Sequence, residues 1–336
     1  MKTQIEKCLS GTDLTVEESS LALDKILTGQ ATEAQIGGLL VALRAKGETV
    51  NELIGFAQIL RDRGIQIKID DPDAIDMCGT GGDGLGTFNI STVSSFIVAG
   101  AGVTVAKHGN RSVTSQSGSA DVLTALGVNI QCPPETVQDC INRIGIGFLF
   151  APMFHPAMKH VAKPRIELGV RSIFNMLGPL INPAGVRRQL IGAYHHNAMR
   201  LLAGALRELG AIKACIVHSD DGLDEVTLSG STVILEVNGM EELSAYKVEP
   251  EDFGLPSNTL DTIQGGNKET NAAITISILS GEASPARDVT VANAAMGLYV
   301  AGKAETFPEG KDMAVESIDS GRAMEKLQQL ITLTCI

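Results

Sequence analysis

Three helix starts are written into the first 65 residues of this chain, and they constrain how it can begin to fold. Thr15 with Glu18, Thr32 with Gln35 and Thr49 with Glu52 each carry the S/T-x-x-E/Q capping-box pattern. In such a box the first and last side chains satisfy backbone N–H groups that a helix start leaves free. Apolar residues at helical spacing follow, as with Ile36, Leu39, Leu40 and Leu43, and each stretch ends near a glycine: Gly29, Gly47 or Gly64. Residues 1–65 are therefore expected to form a small helical domain. Its apolar faces must be buried by packing or by a dimer surface.

The pattern then changes. Short β-like runs occur at 75–78 (IDMC), 103–106 (VTVA), 214–218 (ACIVH) and 232–237 (TVILEV), separated by helical stretches at 91–101, 120–126, 135–144 and 197–209. Strands alternating with helices predict an α/β domain over 70–330 with a largely parallel sheet. In such sheets ligands gather at the carboxyl ends of the strands. The segment 165–183, RIELGVRSIFNMLGPLINP, is apolar and helical in pattern before its Gly-Pro and Asn-Pro turns. It is expected to return, over 165–185, to the N-terminal helices and make the helical domain discontinuous.

Two polar segments follow predicted strands, which places them at that ligand edge. The run at 105–121, VAKHGNRSVTSQSGSAD, cannot bury an apolar core. Its hydroxyls, cations and backbone N–H groups suit a phosphorylated ligand, although a solvated loop would read similarly. The earlier run, GTGGDGLGTFNIST at 79–92, formally matches GxGxxG. Yet Lys107-His108 stand where a dinucleotide fold would place its ribose-binding acid, and no GK[ST] completes a P-loop. A glycine loop whose N–H groups face a phosphate or pyrophosphate fits better. Asn89, Ser91 and Thr92 would open the next helix, as anion ligands or simply as caps.

The acids of HSDDGLDE, Asp220, Asp221, Asp224 and Glu225, read either as a surface turn or as a Mg²⁺ site. Magnesium takes few protein carboxylates and completes its octahedron with water and phosphate oxygens. His155, His160, His195 and His196 form no metal-ligand motif and are assigned to structure or surface.

Composition narrows the class. A net charge of −12 argues against a nucleic-acid binder, and the six cysteines lack CxxC spacing. They are expected to be reduced, buried thiols of a cytoplasmic protein. No apolar run reaches the 18 or so residues a membrane span needs, and the N-terminus lacks a long apolar signal core. No membrane partner is expected.

Taken in order, GTGGD at 79–83, NIST at 89–92, KHGNR at 107–111, SGSAD at 117–121, the R…LG…R…FN…LGPL…NP pattern at 165–183 and DGLDE at 221–225 resemble the anthranilate phosphoribosyltransferase family, over roughly 5–330. The resemblance implies a small helical domain beside a larger α/β domain, and a homodimer through the helical part. It implies that 5-phosphoribosyl passes from phosphoribosyl pyrophosphate to the amine of anthranilate, in tryptophan biosynthesis. Gly79, Gly82, Asp83, Thr87, Asn89, Ser91, Thr92, Lys107 and Ser119 would contact the donor. Ser91, Asp224 and Glu225 would hold magnesium, two ions being expected. Gly79, Asn110 and Arg165 would contact anthranilate, with His108 close by. Lys107, Asp224 and Glu225 are the expected catalytic groups. A pyrimidine nucleoside phosphorylase is the alternative, but it has no use for a magnesium–pyrophosphate clamp. The chain departs from the family at Lys163-Pro164-Arg165, where the proline stands one position later than usual, at Ser172 in place of threonine, and at Ser219 in place of glycine.

Overall fold

The computed structural model describes residues 1–111 and 116–335. Part of the second polar segment, 112–115, thus lies outside the described residues. The chain begins with α1 (Lys2–Leu9), α2 (Val16–Leu27), α3 (Glu33–Lys46) and α4 (Val50–Arg63). All three capping boxes form. Thr15 Oγ1 accepts the Glu18 N–H at 3.2 Å while Glu18 accepts the Thr15 N–H at 2.9 Å, and the pairs at Thr32 and Thr49 repeat the exchange. Glu52 also takes the Leu14 N–H at 2.9 Å and an ion pair from Lys46 at 3.1 Å, so one buried acid ties three segments together.

The remaining elements in chain order are β1 (Ile75–Gly79), α5 (Ile90–Gly100), β2 (Val105–Gly109), α6 (Ser119–Ala125), α7 (Pro134–Ile144), β3 (Ile146–Phe150), α8 (Ala151–Phe154), α9 (Lys159–Leu168), α10 (Phe174–Leu177), β4 (Arg188–Gly192), α11 (His196–Glu208), β5 (Lys213–Ser219), β6 (Thr232–Asn238), β7 (Ser244–Val248), α12 (Lys268–Leu279), α13 (Pro285–Ala301), α14 (Phe307–Asp319) and α15 (Arg322–Thr334). The strands form one sheet in the order β3-β2-β1-β4-β5-β6-β7. The first five run parallel, and β6 and β7 are antiparallel additions at one edge. The run expected as a strand at 103–106 is shifted to 105–109, because Gly102, at φ +89°, and the Val103 N–H still belong to the turn that closes α5.

Alternating strand residues face opposite layers. Met77, Leu190, Cys215 and Val217 pack with α5, α13 and the C-terminal helices. Cys78, Ile191, Ala214 and Ile216 share the second core with α11 and the N-terminal helices. Residues 173–181 lie in that second core. The Phe56 and Phe174 rings are 5.9 Å apart, and Arg61 donates to the Leu180 carbonyl at 2.6 Å. Pro164 sits inside α9 without ending it. Cys335 is exposed, unlike the five other cysteines, and none of the described residues forms a disulfide. No described helix is long and apolar enough to cross a membrane.

Candidate active site

Because β1, β2, β4 and β5 run parallel, the loops after Gly79, Gly109, Gly192 and Ser219 leave the sheet at the same edge. The glycine loop that follows β1 has positive φ at Gly81, Gly82, Gly84 and Gly86, a backbone that side chains would strain and that turns N–H groups outward. It is held from outside. Arg171, between α9 and α10, donates to the Gly82 carbonyl and lies 4.3 Å above the Tyr194 ring, and its own carbonyl accepts from Arg44 of α3.

Lys107, 3 % exposed on β2, is the buried cation nearest the acids of this edge among the described residues. Its Nζ donates to the Met77 carbonyl and lies 3.3 Å from Ser91 Oγ. The Ser91 N–H, in the first turn of α5, donates to Glu225 Oε1 at 3.1 Å. A cation, a helix start and an acid from three distant parts of the chain thereby meet. Burial lowers the Lys107 pKa, and Asp76, Cys78 and Glu225 partly offset that.

The acids stand on the loop between β5 and β6. Gly192 makes room for them, since a Cβ there would lie 1.6 Å from the Asp224 carbonyl oxygen. Ser219, which stands in place of the family's glycine, holds this loop: its hydroxyl donates to the Glu225 carbonyl at 2.6 Å and meets Thr232 Oγ1 at 2.9 Å. Burial raises the Asp224 pKa to about 7, reinforced by the charge of Asp83 and a hydrogen bond with it. Burial and then the charge of Asp224 raise Glu225 to about 8, against the opposing pull of Lys107. Three carboxyls are thus crowded with one cation for company. Among the described residues no three acid, histidine or cysteine side chains close around one point to hold an ion unaided. Crowded oxygen donors lacking a closed cage fit Mg²⁺ shared with phosphate oxygens and water.

The other expected residues divide. Asn89 is the N-cap residue of α5, but its side chain makes no cap bond. It donates instead to the Ser117 carbonyl at 3.1 Å and accepts from Asn271 of α12 at 3.0 Å, linking the two polar segments. Asn110 and Ser119 are joined at 3.2 Å through the Asn110 carbonyl, and Ser119 packs so closely over Gly109 that a Cβ there would be 2.4 Å from its Oγ. Gly79 lies under Asp224, whose Oδ2 is 3.4 Å from where its Cβ would be. Thr87 bridges to Gln264, and Thr92 Oγ1 is buried with no hydrogen-bond partner among the described residues. His108 Nδ1 meets the Gly178 carbonyl at 3.0 Å. Its Nε2 is buried and unpartnered, and burial with the neighbouring His155 pushes its pKa down to about 3, so the ring is neutral. Arg165 rests 5.1 Å from the centre of the Phe174 ring, its pKa lowered by burial with no acid offsetting it.

Four residues outside the expected set, Asp76, Arg171, Asn182 and Asn271, help build this edge. Asp76 had a visible signal, an acid inside the apolar run IDMC, because a buried charge needs partners. Arg171 and Asn182 stand in the 165–183 pattern, as its second arginine and its Asn-Pro asparagine, whereas Asn271 had no signal beyond its residue type.

A helical layer beside a mostly parallel sheet corresponds to the two domains of the glycosyl transferase family. Residues 71–324 match the α/β domain of the glycosyl transferase family and residues 2–64 its helical bundle domain. The anthranilate phosphoribosyltransferase of Rhodopseudomonas palustris (strain TIE-1) is 48% identical over 334 residues, covering 99% of this chain and 98% of that protein. The crystal structure of the Thermus thermophilus enzyme of that name superposes with a TM-score of 0.93 at 39% identity, covering 99% of each chain. That of Saccharomyces cerevisiae, in complex with PRPP and Mg, superposes with a TM-score of 0.91 at 28% identity, covering 99% of this chain and 97% of its own. The chain belongs to the anthranilate phosphoribosyltransferase family.

Proposed function

We propose that this chain transfers 5-phosphoribosyl from phosphoribosyl pyrophosphate to the amine of anthranilate and releases pyrophosphate. The observation that carries the reading is the meeting of Lys107, Ser91 and Glu225 beside the glycine loop. Gly79, Gly82, Asp83, Thr87, Asn89, Ser91, Thr92, Lys107 and Ser119 form the donor site. Ser91, Asp224 and Glu225 would hold magnesium, two ions being proposed, and the metal would supply positive charge against the pyrophosphate.

The C–O bond to pyrophosphate breaks, and its electron pair leaves with the pyrophosphate. Lys107 stabilises the negative charge that grows there. The anthranilate nitrogen forms the new C–N bond and loses its proton to solvent. An aniline is largely unprotonated at neutral pH, so positioning matters more than a general base. Arg165 pairs with the anthranilate carboxylate, Asn110 and Gly79 orient the ring, and neutral His108 lies beside it. The decisive assay follows anthranilate fluorescence. The signal should fall only when protein, phosphoribosyl pyrophosphate and Mg²⁺ are all present. Release of free pyrimidine base from a pyrimidine nucleoside and inorganic phosphate, with the anthranilate signal unchanged, would point to the phosphorylase.

We read residues 1–65, with 165–185, as one domain, 70–330 as the other, and the protein as a cytoplasmic homodimer. Leu9, Leu21 and Val41, 66%, 49% and 47% exposed on α1, α2 and α3, supply apolar surface for the dimer. A chain lacking 1–65 should aggregate, because α11 and residues 173–181 would lose their cover. A monomeric, soluble truncation with a cooperative melt would show instead that the helical unit is an independent appendage.

A further inference from the structure

We propose that Asp76, held in place by Asn182, is a positioning residue that aims Lys107 and His108 at the ligand edge. The sheet shows why such a residue is needed. β1 pairs with β4 over five positions, from Ile75↔Arg188 to Gly79↔Gly192, and β2 pairs with β3 over five. Between β1 and β2 the pairing is a single position, Ile75↔Val105. Beyond it, toward the site, side chains take over from the ladder.

Each of the next three β2 residues is tied separately. The Ala106 carbonyl accepts from Asn182 Nδ2 at 2.8 Å. Lys107 reaches back with its own Nζ to the Met77 carbonyl of β1. The His108 N–H donates to Asp76 Oδ1 at 3.0 Å. Asp76 Oδ2 accepts from Asn182 Nδ2 at 2.8 Å, and Asn182 Oδ1 accepts the Ala184 N–H at 2.8 Å, which anchors the asparagine to the chain after α10. Asp76 is wholly buried. A regular ladder would hold two strands together without burying a carboxylate, which is costly. What the carboxylate adds is a fixed offset between the two strand ends and a negative charge near Lys107, which Cys78 and Glu225 also face.

This inference rests on the reading of Lys107 as the group facing the departing pyrophosphate. Asp76→Asn keeps the volume but places an amide donor against the Asn182 donor. The variant should lose kcat by about tenfold or more with KM for phosphoribosyl pyrophosphate changed by less than about threefold, since Lys107 acts on charge that grows in the transition state. The same substitution in a Lys107→Ala background should cost less than about twofold further, because residues acting through one another are not additive. Asn182→Ala, which keeps the acid, should repeat the pattern more weakly and serves if Asp76→Asn does not fold. An equal fractional loss in both backgrounds, or none in the wild-type background, would make Asp76 a stability residue only and overturn the inference. Should Lys107→Ala itself turn over at the wild-type rate, the assignment of Lys107 fails, a result separable from the first.

Discussion

The strand ends and the α9–α10 segment are built from opposite materials. On the strand ends, Asp83, Asp224 and Glu225 crowd together, with buried Lys107 as the cation that Glu225 faces. On the other side Arg165 lies on the Phe174 ring with no acid beside it. The first side crowds carboxyls that hold on to their protons until a cation compensates them, and suits a metal-bearing polyphosphate. The second carries an uncompensated cation and suits a carboxylate. The contrast teaches where each free energy term should appear. In the proposed reaction, groups on the strand ends would meet charge that changes as the bond breaks, so they should govern turnover. A cation waiting for a carboxylate that stays charged throughout should govern binding.

The largest effect expected is that of Asp224→Asn with Glu225→Gln, which should nearly abolish turnover while the fold persists. The loss should be on the order of 10²–10³-fold or more, the scale of removing preorganised electrostatic stabilisation. Magnesium titrations of the rate in both proteins test it. An unchanged magnesium dependence in the variant would erase the contrast between the two sides. Lys107→Ala comes next, with kcat falling by about a hundredfold and more than KM for either substrate. Steady-state kinetics that found a pure KM effect would move Lys107 into the binding class.

Arg165→Ala should give the complementary result. A charge-assisted hydrogen bond to a carboxylate is worth about 1.5–3 kcal/mol, so KM for anthranilate should rise at least about tenfold. KM for phosphoribosyl pyrophosphate should change far less. Pro164 precedes this arginine inside α9 and leaves the helix intact, so its shifted place does not by itself displace the side chain. If varying each substrate in turn leaves the anthranilate KM untouched, the acceptor site is elsewhere.

How much of this was legible in the sequence follows from which signals are local. The capping boxes are complete within four residues, and all three formed. The glycine loop and the acids were legible because glycine runs and unpaired carboxylates are costly without a use. β3, β4 and β7 were not read as strands. β4, RQLIG, is central, short and polar at its start, so neither alternation nor a long apolar run marks it. The strand read at 232–237 is present, but its antiparallel direction depends on a hairpin-like return after the acidic loop. Asn89 shows the limit best. Its type and position both signal a cap, yet its side chain goes to Ser117 and Asn271, the latter 182 residues away. Only the tertiary fold decides that competition.

The smallest expected effect concerns stability of the protein without magnesium. The pKa of Asp224 is raised from 3.8 to about 7 and that of Glu225 from 4.5 to about 8. The folded state then binds more protons than the unfolded chain between about pH 4 and pH 8. For acids shifted upward, stability is fullest below the unfolded values and is lost as pH rises through the folded ones. Metal-free protein should therefore melt at lower temperature at pH 8 than at pH 6 by more than the Asp224→Asn, Glu225→Gln variant does. If the two acids together contribute about 1 kcal/mol to the difference, it amounts to about 1–2 °C for a chain of this length. Substrate-free Mg²⁺ should recover little of it, since the acids form no closed cage, whereas Mg²⁺ with pyrophosphate should recover most. Melting curves at the two pH values with each addition decide the point. Parallel curves for wild type and variant would mean that the strand-end acids are already compensated in the folded protein, and the contrast between the two sides would lose its electrostatic basis.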